Sequence, residues 1–191
     1  RAQSVWKRLL AQDGLAVLLA AVLLGTGLSF IYSASWRGEE TGIVGAWFGR
    51  QIWWVALGAA LATVLAALDY RVWIRAAWWL YVASLGLLAL VLVAGTKVYG
   101  AYRWLNVFGV LVQPSEFAKV TLVVLLARVL GGGALDPRSF GTIAVGLLLL
   151  APPFLLILVE PDLGTAAVLV PTAAIMLFAA GAAFRYLAGL A

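Results

Sequence analysis

Long stretches without a single charge set the terms for this chain. Gly14 to Tyr32 runs 19 residues with no Asp, Glu, Lys or Arg, and Ile52–Leu68, Thr142–Val159 and Leu163–Phe184 repeat the pattern. A helix of roughly 20 apolar residues spans the hydrocarbon core of a bilayer. Charged residues make up 11% of the sequence, against about 25% in a soluble domain. The apolar residues are continuous and do not alternate, which argues against a transmembrane barrel. The chain reads as an all-α polytopic membrane protein, one membrane domain with about six transmembrane helices. The expected spans are 14–34, 52–68, 76–95, 114–130, 142–159 and 163–184.

What is absent narrows the chemistry. With no Cys and no His, disulfides, Cys/His zinc sites, Cys nucleophiles and His-based triads are excluded. Proton transfer within the chain falls to Asp, Glu, Lys or Tyr. The net charge of +5 is scattered along short loops and forms no basic stripe, so no nucleic-acid partner is expected. Gly131-Gly132-Gly133 lacks the following Lys-Ser/Thr of a phosphate loop, and no nucleotide or redox cofactor is expected.

The cations sort by side. Arg1, Lys7, Arg8, Arg71, Arg75, Arg128, Arg138 and Arg185 fall inside and Arg37, Arg50, Lys97 and Arg103 outside, which places both termini in the cytoplasm. Span one reads as an uncleaved anchor, with Ser33-Ala34-Ser35 leaving cleavage open. Trp36–Gln51 reads as an outer loop. Thr96–Val112, a mixture of aromatics and cations, reads as a surface-lying amphipathic turn or a short re-entrant helix. Pro152-Pro153 and Pro171 are expected to kink helices five and six.

One charge pair interrupts the apolar pattern. In Gln113-Pro114-Ser115-Glu116-Phe117-Ala118-Lys119, helical spacing gathers Ser115, Glu116 and Lys119 on one face. Glu116 lies in the first turn, where the dipole favours it, and an isolated ammonium at Lys119 would be costly. The pair is either a structural ion pair or part of a cavity. Arg50 and Arg103 suit phosphates through paired N–H donors or, equally, lipid headgroups. Glu160 and Asp162 flank Pro161 and have three readings: a cap for helix six, a cation site, or a neutraliser of an Arg. Asp69 with Arg71, and Asp136 with Arg138, read as solvated loop charges.

Four stretches in order carry a family resemblance: Asp69-Tyr70-Arg71, Gly100-Ala101-Tyr102-Arg103-Trp104-Leu105, Gln113 to Lys119, and Pro161-Asp162-Leu163-Gly164-Thr165. Together they resemble the SEDS proteins (shape, elongation, division and sporulation; RodA, FtsW and SpoVE), most of all the RodA branch. Glu160 stands where that pattern carries glutamine. The resemblance implies the N-terminal part of a fold of about ten helices. It also implies a glycosyltransferase that polymerises lipid II at the outer face of the bacterial cytoplasmic membrane, with a class B penicillin-binding protein as partner. A lipid II flippase or a non-catalytic scaffold are the alternatives.

On that resemblance Glu116 and Lys119 support catalysis, and Arg50, Arg103, Trp104, Gln113, Ser115 and Asp162 line the substrate site. The main acidic catalyst is implied to lie on a later loop, so these 191 residues alone are expected to be inactive. No metal-ligand set is assigned, while a divalent cation of undetermined identity is left open as a cofactor.

Overall fold

The computed structural model describes residues 5–36, 44–98, 101–133, 135–136 and 139–182. Within them lie six helices and a small sheet: α1 (Val5–Trp36), α2 (Val44–Ala67), α3 (Tyr70–Ala94), β1 (Thr96–Val98), β2 (Ala101–Val107), β3 (Val110–Val112), α4 (Pro114–Gly131), α5 (Phe140–Val159) and α6 (Leu163–Ala179). The chain divides after Asp69 into two units.

The first unit is the pair α1 and α2, joined edge to face by Tyr32 and Phe48 with ring centroids 5.4 Å apart. Their apolar stretches, Gly14–Ala34 and Trp47–Ala67, bury no side chain inside the protein. Trp53 is 79% exposed and Leu23 71%. Apolar surface of that extent needs lipid or further protein against it. The second helix starts at Val44 and not at Ile52, so Trp47 and Arg50 sit on a helix and not in an outer loop. The run Val44–Gln51 has only one charge, and the bilayer tolerates an interfacial Arg within a helix.

The second unit holds the core. Ala77, Tyr81 and Leu88 of α3 meet Leu122, Leu125 and Leu126 of α4, Leu150 and Ile157 of α5, and Leu169 and Ala173 of α6. Each set recurs at three- or four-residue spacing, the stripe one helix presents to its neighbours. Polar side chains fasten this core. Ser84 and Thr121 share a hydrogen bond of 2.8 Å between α3 and α4, and Arg128 donates to the carbonyls of Ile74 and Arg75 at 2.8 and 2.7 Å.

The proline pair does not split α5, which is continuous from Phe140 to Val159. Pro153 has no N–H for the carbonyl of Leu149 one turn earlier. Tyr81 supplies the missing donor from α3, its hydroxyl 2.7 Å from the Leu149 oxygen. A freed carbonyl inside an apolar bundle is thereby satisfied.

The segment expected to be a surface-lying amphipathic turn or a short re-entrant helix is instead a three-stranded antiparallel sheet, β1-β2-β3. Val98, Tyr102, Trp104, Val107, Val110 and Val112 favour extended backbone. Phe108 and Gly109 form the two-residue loop between paired Val107 and Val110, with φ of +52° and +86°. Positive φ at both positions is the geometry of a tight hairpin turn, and glycine carries it without strain. Asn106 Oδ1 accepts the Gly109 N–H at 2.8 Å and holds the turn.

Helix six ends at Ala179, short of the expected Phe184. Gly181, at φ +99°, reverses the chain, and the Ala182 N–H returns to the Leu177 carbonyl at 3.0 Å, the usual glycine stop. Among the described residues four helices are long and apolar enough to cross a membrane: the two stretches of the first unit, α3 and α5. α6 has 17 residues, and α4 carries Glu116, Lys119 and Arg128 within its 18. The protein is an all-α polytopic membrane protein with a small hairpin inserted between α3 and α4.

Candidate functional site

The hairpin, the start of α4, the end of α5 and the start of α6 meet at one end of the second unit. Pro114 opens α4 because a first-turn position needs no N–H. Gln113, the preceding residue, has extended backbone and no capping bond of its own. Its side chain reaches across instead, Nε2 donating to Asp162 Oδ2 at 3.0 Å. Asp162 also caps α6: Oδ1 accepts from the Thr165 N–H at 3.1 Å and Oδ2 from the Thr165 hydroxyl at 2.9 Å. Of the three readings open for these acids, the cap belongs to Asp162.

Arg103, half-buried on β2, faces the same corner. Its Nε donates to the Glu160 carbonyl at 3.1 Å and its Nη2 to the Pro161 carbonyl at 2.6 Å. These carbonyls end α5, where the helix dipole is negative and a guanidinium is favoured. Arg103 therefore braces backbone here, rather than standing free at a surface. Trp104, next on β2, pairs in register with Thr96.

Glu160 is the residue the sequence signalled least. It is 1% exposed, and neither carboxyl oxygen has a hydrogen-bond partner. Burial first, then the neighbouring Asp162, push its carboxyl up to about 7 from the ordinary 4.5, with Arg103 acting in the opposite direction. The available signal was an acid wedged between an uncharged helix and Pro161-Asp162.

The Glu116–Lys119 pair forms within α4, Nζ donating to Oε1 at 2.8 Å. It is more open than a charge pair in an apolar helix suggests: the lysine side chain is 28% exposed and the glutamate 57%. Ser115 does not share their face. It is fully buried on the stripe of Ala118 and Leu122, because adjacent helical residues diverge by about 100°. Its hydroxyl also lacks a partner. Arg50 lies in the first unit, its guanidinium 4.2 Å from the Trp47 ring centroid, a cation–π contact one helical turn back.

Among the described residues no three Asp, Glu, His or Cys side chains gather to hold a metal. The chemistry on offer is one ammonium, one braced guanidinium, one capped carboxylate and one buried acid.

Comparison with known proteins gives a consistent result. The FtsW/RodA/SpoVE family profile, described as "Cell cycle protein", matches residues 14–191. A relative from Trichlorobacter lovleyi, named probable peptidoglycan glycosyltransferase FtsW, is 35% identical over 95% of this chain and 49% of its own length. The crystal structure of the Thermus thermophilus rod shape determining protein RodA superposes with a TM-score of 0.67 at 34% identity, covering 84% of this chain and 55% of that one. A chain from a structure described as coordinating polymerization and crosslinking in a peptidoglycan synthase complex also gives 0.67, at 33% identity, covering 83% of this chain and 47% of its own. The chain spans about half the length of the curated relatives it matches.

Proposed function

The chain belongs to the FtsW/RodA/SpoVE family of cell cycle proteins, and from that premise we propose that the protein polymerises lipid II into glycan strands. It does so at the outer face of the bacterial cytoplasmic membrane, with both ends of these 191 residues on the cytoplasmic side, for cell elongation and shape. Its partner is a class B penicillin-binding protein that cross-links the strands, in line with the description of the related synthase complex.

The observation that carries this reading is Lys119, an ammonium held 2.8 Å from Glu116 at the polar end of an apolar helix. In the reaction an acceptor sugar hydroxyl attacks the anomeric carbon of the donor. The bond to the polyprenyl pyrophosphate breaks, the pyrophosphate leaves with the electron pair, and the hydroxyl proton passes to a base. Positive charge placed where the leaving group gathers negative charge lowers that barrier. Lys119 serves that purpose and Glu116 positions it. Arg103 and Asp162 hold the corner in shape. The base is assigned to the remaining half of the family fold.

The test is purified full-length protein with lipid II and its transpeptidase partner, scored for glycan polymer on a gel. Polymer from the wild type and its loss in Lys119→Ala are expected. Translocation of lipid II without polymer would replace this reading with transport. Partner binding with neither activity would leave a scaffold.

A further inference from the structure

We propose that Glu160 is a proton-binding site whose ionisation draws the Arg103 guanidinium off the backbone carbonyls of the α5–α6 corner and onto its own carboxylate. The carboxyl is 1% exposed and both of its oxygens lack a donor, so its charged form has nothing to stabilise it in place. All the side-chain donation at this corner goes elsewhere: Gln113 and Thr165 to Asp162, Arg103 to backbone carbonyls. The position itself, closing the C-terminus of α5, adds the negative end of a helix dipole. Neutral Glu160 fits this site.

The charged and titratable groups around it are few. β2 brings Arg103 and α6 brings Asp162. The start of α4 brings neutral Gln113 and Ser115, while Glu116 and Lys119 pair with each other. On β1, Lys97 stands 5.9 Å from the Tyr102 ring centroid. The last turns of α3 and α5 carry no titratable side chain. Among the described residues Arg103 is thus the cation available to an ionised Glu160. A guanidinium bonds a carboxylate more strongly than a neutral carbonyl. Once Glu160 loses its proton, the Arg103 N–H groups turn from the Glu160 and Pro161 oxygens to the carboxylate. The two backbone carbonyls then lose their donor, while β2 stays tied to the corner through the charge-assisted pair. The carboxyl raised to about 7 puts that event near neutrality. The assignment concerns the corner alone and stands apart from the reaction proposed above.

Infrared difference spectroscopy on the full-length protein in lipid nanodiscs, between about pH 5.5 and 8.5, reads the proton directly. A protonated-carboxyl C=O band is expected to vanish with a midpoint near 7 and to be absent from Glu160→Gln. The guanidinium infrared bands of Arg103, identified by their loss in Arg103→Gln, are expected to shift through the same midpoint in wild type and to stay level in Glu160→Gln. A carboxyl band that survives in Glu160→Gln, a midpoint at the ordinary 4.5, or guanidinium bands that behave identically in the two proteins overturns the assignment. Should Glu160→Gln not accumulate, Arg103→Gln serves: removing the opposing charge is expected to raise the midpoint, and an unmoved midpoint overturns it.

Discussion

Two polar regions interrupt this apolar protein, and they are built on opposite plans. The Glu116–Lys119 pair is local: one helix, three residues apart, both side chains open to their surroundings. The corner at Asp162 is assembled from four elements distant in sequence, and its acids are buried, Asp162 at 8% exposure and Glu160 at 1%. A local, exposed ion pair contributes about 0–1 kcal/mol to stability. A buried, multiply bonded carboxylate contributes more, and its removal strands its donors. The same residue types thus divide the work: the corner holds the fold, and the pair is free to hold a charge for a substrate.

That division can be broken by experiment. The largest effect is expected for Lys119→Ala, a loss of polymerisation of about 10²-fold or more, measured as product formed from lipid II. Activity near wild type would remove the pair from the chemistry.

Next comes pH. The Glu160 carboxyl lies at about 7 in the folded protein and 4.5 otherwise. Below 4.5 both states hold the proton and nothing is lost. As pH rises toward 7 the unfolded chain releases its proton while the folded one keeps it, so stability falls, and the full penalty stands above 7. It is on the order of 3 kcal/mol. Denaturant unfolding of full-length wild type against Glu160→Gln, repeated across pH, is expected to show the gap opening over that window.

Asp162→Ala removes a cap and leaves Gln113 without its acceptor, and is expected to cost about 2 kcal/mol in the same assay. Tyr81→Phe, which strands the Leu149 carbonyl beneath Pro153, is expected to cost about 1–2 kcal/mol. The smallest change should be the stability of Lys119→Ala, within about 1 kcal/mol of wild type. A larger cost there would make the pair structural and collapse the contrast.

The uncharged runs were legible because a bilayer imposes length and composition on each helix separately. Pro114 as a first-turn residue and Asp162 as a cap were legible for the same reason, since both act within a few residues of chain. The hairpin was not: Phe108 at positive φ is an unusual turn residue, and only its register with Val107 and Val110 reveals the turn. Ser115 was misplaced because helical spacing gives an arc and not the direction of the core. Arg103 was read as a free cation because its partners are carbonyls 57 and 58 residues away, and backbone acceptors carry no sequence signature.

By itself, then, the sequence determined an all-α polytopic membrane protein, because hydrophobic length and helix-end chemistry are local. Tertiary structure alone decided which charges are engaged. It gave Arg103 to the end of α5, Gln113 to Asp162 and the Tyr81 hydroxyl to a proline-freed carbonyl, and it left Glu160 buried without a donor. Those outcomes depend on which helix ends converge, and convergence is set by how the apolar stripes of α3 to α6 pack.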